Sequence, residues 1–71
     1  MTPDEFKNWR LNLGLSQQEA ALELGFKHRS SVHHFEAGTR EVSARISKLC
    51  KLVGKEIRDE RNHQNMERSE T

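Results

Sequence analysis

Three glycines, at positions 14, 25 and 38, divide the first half of the chain into pieces with room for only one short helix each. Glycine ends helices because it reaches the left-handed backbone without a steric penalty. The first two pieces also open on a recognisable start. Thr2-Pro3-Asp4-Glu5 is a capping box, with Thr2 as N-cap, Pro3 in the first helical position and Glu5 reaching back to the cap. Asp4 and Glu5 sit at the positive end of the helix dipole, where acids are favoured. Ser16-Gln17-Gln18-Glu19 repeats the arrangement. Apolar residues then recur at helical spacing: Phe6, Trp9 and Leu13 in the first piece, Ala20, Ala21 and Leu24 in the second, and Val32 and Phe35 in the third, Arg29 to Ala37. Phe26 to His28 form a brief connection, and a loop over Thr39 to Val42 leads to Ser43 as the N-cap of a last segment. Its stripe is Ile46, Leu49, Cys50, Val53 and Ile57. Gly54 interrupts that stripe at a cost of about 1 kcal/mol inside a helix, so either one helix or two is expected there. No stretch alternates with the period of a strand. The expected fold is all-α, a compact domain of four to five helices.

A chain of 71 residues has room for one domain. A domain of this size buries only about 60% of its unfolded surface, so dimerisation would help to stabilise it. From Arg58 to Thr71 the one apolar residue is Met66, so the core must come from residues 1–57, and 58–71 read as a polar tail or a frayed helical extension. His63 belongs to that tail and reads as solvent-exposed. The single cysteine, Cys50, falls on the apolar stripe and excludes an internal disulfide framework. There is no long apolar run, and the polar start is unlike a signal peptide, so a cytoplasmic protein without membrane contact is expected. Net charge is only +1, yet it is unevenly spread. Residues 27–58 carry Lys27, Arg29, Arg40, Arg45, Lys48, Lys51, Lys55 and Arg58 against Glu36, Glu41 and Glu56, between two segments of net −2. A basic middle between acidic ends suits one anion-facing surface, although a solvated helical face would read the same.

Two short helices joined by a glycine-containing turn are the pattern of a helix-turn-helix. Here the residues become specific. The run Leu13-Gly14-Leu15-Ser16-Gln17-Gln18-Glu19-Ala20-Ala21-Leu22-Glu23-Leu24-Gly25, continued by Ser31-Val32-His33-His34-Phe35-Glu36-Ala37-Gly38-Thr39-Arg40, resembles the lambda repressor/Cro-like (XRE) family. The likeness covers about residues 3 to 53. It implies a lambda-repressor-like DNA-binding domain whose third helix enters the major groove. The chain departs from the shortest members by one residue in the turn between Gly25 and Val32. It also lacks the apolar residues of a fuller fifth helix, so the family's dimer interface does not transfer.

The resemblance implies roles residue by residue. Arg10 and Glu36 match a partly buried ion pair that links the first helix to the end of the third. Gln17 matches a phosphate anchor, and Ser16, at the same helix N-terminus, is placed to help it. Arg29 and Ser30 match the positions that enter the groove first, and His34 matches a base contact one turn on, with His33 beside it. An arginine there can bond guanine O6 and N7 together. Thr39 and Arg40 match a segment that clamps phosphate, and Lys27 and His28 flank the site as backbone contacts that carry no sequence information.

The function expected on these grounds is sequence-specific binding to double-stranded DNA with an inverted-repeat operator. The protein would act as a homodimeric regulator, an autorepressor of a phage or other bacterial mobile element. A phage switch protein, an anti-CRISPR-associated repressor, a restriction-modification controller and an antitoxin all fit. The alternative is an antitoxin or protein-interaction module whose C-terminal segment binds a partner protein. RNA binding is disfavoured because the three phenylalanines and one tryptophan all read as core, leaving no stacking platform. No enzyme is expected: no hydroxyl or thiol has a plausible base with an orienting acid. No metal, cofactor or small-molecule ligand is expected either, since the histidines and the cysteine lack converging ligand spacing.

Overall fold

The computed structural model describes the backbone of residues 1–70 and the side chains of residues 1–61. Four helices follow one another: α1 (Pro3–Asn12), α2 (Gln17–Glu23), α3 (Ser30–Ala37) and α4 (Ala44–Glu70). No strand occurs among the described residues. Both capping boxes form. Thr2 Oγ1 accepts from Glu5 N at 3.1 Å while Thr2 N donates to Glu5 Oε1 at 2.8 Å. Ser16 Oγ accepts from Glu19 N at 3.0 Å while Ser16 N donates to Glu19 Oε1 at 2.9 Å. The bonds from Thr2 and Ser16 hold the Glu5 and Glu19 carboxyls below the usual carboxylate range. Ser43 caps α4, its hydroxyl accepting from Ile46 N at 3.3 Å.

The core is built where the helical stripes converge. Phe6, Leu13, Ala20, Ala21, Val32, Phe35 and Cys50 are almost wholly buried. Phe35 lies 5.2 Å from Phe6 and 5.7 Å from Phe26, and Trp9 lies 5.5 Å from Phe6, all in tilted aromatic contacts. Each such pair adds about 0.5–1.5 kcal/mol beyond its buried area. Turn residues join the core as well as helical ones: Val42 is buried, and Leu15 and Phe26 pack against it. Phe26 is therefore more than connection. Its ring packs against the core, 5.7 Å from Phe35.

Helix α4 is continuous across Gly54, so the described residues form four helices and the possible break at that glycine does not occur. The reason lies in α1. The Trp9 indole donates from Nε1 to the Cys50 carbonyl at 2.8 Å, which brings its ring close to Gly54 on the next turn of α4. A Cβ on residue 54 would sit 3.2 Å from that nitrogen. Glycine is there for close approach, at the expense of about 1 kcal/mol of helix propensity. Two turns further, Arg61 Nη2 donates to the Leu13 carbonyl at 2.6 Å, satisfying a carbonyl at the end of α1. The helix thus runs past residue 57 and still holds the domain at Arg61. His63, expected above to be exposed, and the rest of the segment from Asn62 to Thr71 lie outside the residues whose side chains are described.

Candidate nucleic-acid interface

Between α2 and α3 the backbone must reverse in a few residues, and Gly25 does this with φ +84°. Residues with a Cβ seldom adopt that angle. The reversal packs α3 against α2, on which Ala21 is almost wholly buried and leaves little room for a larger side chain. Val32 and Phe35, three residues apart, turn inward, so Ser30, His33 and His34 project outward and are exposed. Arg29 is the N-cap of α3 with helical backbone angles and no side-chain capping bond, so its guanidinium is not tied to the helix start.

Two shallow clefts share Arg29 and Ser30. One is lined by Gln17, Arg29, Ser30 and His33, and the other by Gln18, Lys27, His28, Arg29 and Ser30. The first brings the start of α2 to the start of α3, joining four of the residues singled out in the sequence. The second adds Lys27 and His28 on the flank, together with Gln18, which sequence reasoning missed. Gln18 shares the exposed first turn of α2 with Gln17, and that was the available signal. Ser16 lies at the same helix end. Its hydroxyl oxygen accepts from Glu19 N, which leaves its own hydrogen free to donate.

A partly buried polar network braces this arrangement. Arg10 Nε donates to Glu36 Oε2 at 2.7 Å and Nη2 to Glu36 Oε1 at 3.2 Å, with side-chain exposures of 11% and 8%. Arg10 Nη1 donates to the Leu15 carbonyl at 2.9 Å, and Gln17 Nε2 donates to Glu36 Oε1 at 3.4 Å. One fork therefore ties α1, the turn after it, the first residue of α2 and the last turn of α3. Gln17 reaches the cleft already held from behind, with a second amide hydrogen available.

The remaining predicted residues form a second group beyond α3. Gly38 closes the helix, and the following loop folds back over its last turn: Thr39 N and Arg40 N both donate to the His34 carbonyl, at 3.1 and 3.3 Å. Thr39 Oγ1 lies 2.9 Å from His34 Nδ1. The Arg40 guanidinium stands 5.3 Å from the centre of the Phe35 ring, so the cation also covers one side of the core. Among the described residues Arg10–Glu36 is the one ion pair, and Lys27, Arg29 and Arg40 present their charges to solvent. Such a surface offers several positive charges and hydroxyl or amide donors to an anionic partner, with a helix end between them.

No group of three metal-binding side chains occurs among the described residues, and none of their helices is long and apolar enough to cross a membrane. Cys50 is buried, and burial pushes its thiol up to about 11, far from a reactive thiolate. A family model described as helix-turn-helix matches residues 6–59, a span that takes in both clefts and the network behind them. No curated protein and no solved structure matches the chain.

Proposed function

The chain belongs to the XRE-type, lambda repressor/Cro-like helix-turn-helix family of DNA-binding transcription regulators, and on that premise we propose that it is a homodimeric autorepressor reading an inverted-repeat operator. The observation that carries this reading is the exposed outer face of α3, set beside Gln17 with Arg29 and Ser30 in both clefts. Arg29, Ser30, His33 and His34 would read base edges in the major groove. Ser16, Gln17, Lys27, His28 and Arg40 would hold phosphates on either side and fix the register. The proposed mechanism is occlusion of RNA polymerase at its own promoter in a phage or another bacterial mobile element. Two copies of α3 in successive major grooves require half-sites about 34 Å apart. That geometry makes the reading testable without knowing the operator.

The test is selection from a random duplex pool at about 150 mM salt, a concentration at which non-specific phosphate contacts are weakened. An enriched inverted repeat with half-sites about one helical turn apart is the expected result. A folded protein that enriches nothing would defeat the proposal.

A further inference from the structure

The contact between His34 and Thr39 decides what His34 can offer to a base. It rests on the proposed reading of His34 as a base-contacting residue. Thr39 Oγ1 lies 2.9 Å from His34 Nδ1 and, on its other side, 3.3 Å from the His34 carbonyl oxygen. A hydroxyl has one hydrogen and two lone pairs. With that hydrogen directed to the carbonyl, the oxygen meets Nδ1 with a lone pair, and Nδ1 must carry the proton. Thr39 N and Arg40 N donate to the same carbonyl, which folds the loop back and keeps Thr39 Oγ1 beside the His34 ring. The His33 ring stands edge-on to the His34 ring, centroids 5.9 Å apart.

We infer that Thr39 is a positioning residue that fixes His34 in its Nδ1–H form, so that the exposed Nε2 is a bare acceptor and selects an amine-bearing base edge. In the major groove that edge is adenine N6 or cytosine N4. Guanine offers only N7 and O6 acceptors there, and thymine O4 and a methyl group, so both leave Nε2 unpaired. Thr39 then acts through the ring, and its hydroxyl is spent on His34 in place of the phosphate contact its position suggested.

The experiment has two arms on the full chain. Long-range proton–nitrogen correlation spectra of histidine-labelled protein report which ring nitrogen of His34 is protonated, with no DNA present. Duplex selection then reports the base favoured opposite His34. For the wild type we expect protonated Nδ1, bare Nε2 and about a tenfold preference for adenine or cytosine over guanine at that position of the contacted strand. Thr39→Ser keeps both properties. Thr39→Val, which removes the hydroxyl from an exposed position, moves the proton towards Nε2 and reduces the preference to about twofold or less. A wild-type ring protonated at Nε2 would overturn the inference whatever the DNA does. So would an enriched operator whose base preference is unchanged in Thr39→Val. A wild-type protein that enriches no duplex removes the base selection together with the DNA reading, and the spectra still judge the ring by itself.

Discussion

Replacing Arg10 by methionine isolates what the Arg10–Glu36 fork contributes. The arginine makes three bonds, two to Glu36 and one to the Leu15 carbonyl, in a setting where the two side chains are 11% and 8% exposed. Methionine fills much of the same space and donates nothing. Glu36 is left almost fully enclosed with one partner, the Gln17 amide at 3.4 Å, a long and weak bond. Breaking a buried pair from one side costs about 3–5 kcal/mol, because an uncompensated charge remains. The slight exposure here places the expected loss near the lower end, about 3 kcal/mol. For a domain of this size that corresponds to a fall in Tm of roughly 12–24 °C. The assay is urea and thermal unfolding followed by circular dichroism, on Arg10→Met, Glu36→Leu and the double variant. Because apolar residues often replace a buried ion pair at little cost, the double variant should recover more than half of the loss. A loss below about 1 kcal/mol in Arg10→Met, the value of a solvated surface pair, would refute the claim that this fork braces the domain.

Other expectations follow from the same contacts. Gly54→Ala should lower Tm despite gaining about 1 kcal/mol of helix propensity, because the new Cβ meets a Trp9 nitrogen already tied to Cys50; a red-shifted tryptophan emission is the companion signal, and a raised Tm would refute the packing argument. Arg29→Ala should relax the preference at one base pair, whereas Arg40→Ala should weaken all duplexes alike and flatten the salt dependence by about one unit. Binding titrations against an operator and a scrambled duplex separate these cases, and equal changes in specificity would contradict the assignment. Cys50 has its thiol raised to about 11 by burial, so the folded state favours the neutral form. The stability this lends is complete below the thiol's unfolded value and is lost as pH climbs towards 11, so Tm should fall faster over that interval in the wild type than in Cys50→Ala.

Much of this molecule was legible in its sequence because the signals are local. Thr2 with Glu5, and Ser16 with Glu19, are reciprocal bonds between residues three apart, and no knowledge of the fold is needed to foresee them. The inward stripes of α1, α2 and α3 follow from spacing alone. Gly54 was ambiguous for the opposite reason. Its meaning depends on Trp9, which donates to a carbonyl 41 positions along the chain. Arg61 is similar: in the sequence it is one charge in a polar segment, and only the packing of α4 along α1 brings it 2.6 Å from the Leu13 carbonyl. Leu15, Phe26 and Val42 sit in turns, where helical periodicity gives no inward or outward sense. The Arg10–Glu36 pair came from family likeness, since nothing in either residue's neighbourhood announces the other. Among the site residues, the outward positions of α3 were readable from its spacing. The contribution of Gln18 and the use of the Thr39 hydroxyl depend on how the turn and loop fold.

The third helix is secured by very little. Val32 and Phe35 are its buried side chains, and Glu36 is tied to Arg10 behind them. The side chains at 29, 30, 33 and 34 have no part in the core. Mutations there are therefore nearly free of folding consequences, and a lineage can drift through many combinations without passing through an unfolded intermediate. Sister genes that began with the same preferences could diverge until each ignores the other's control sites within one cell. The two anchoring positions would stay fixed meanwhile, because their substitution would be punished by misfolding long before any question of recognition arose.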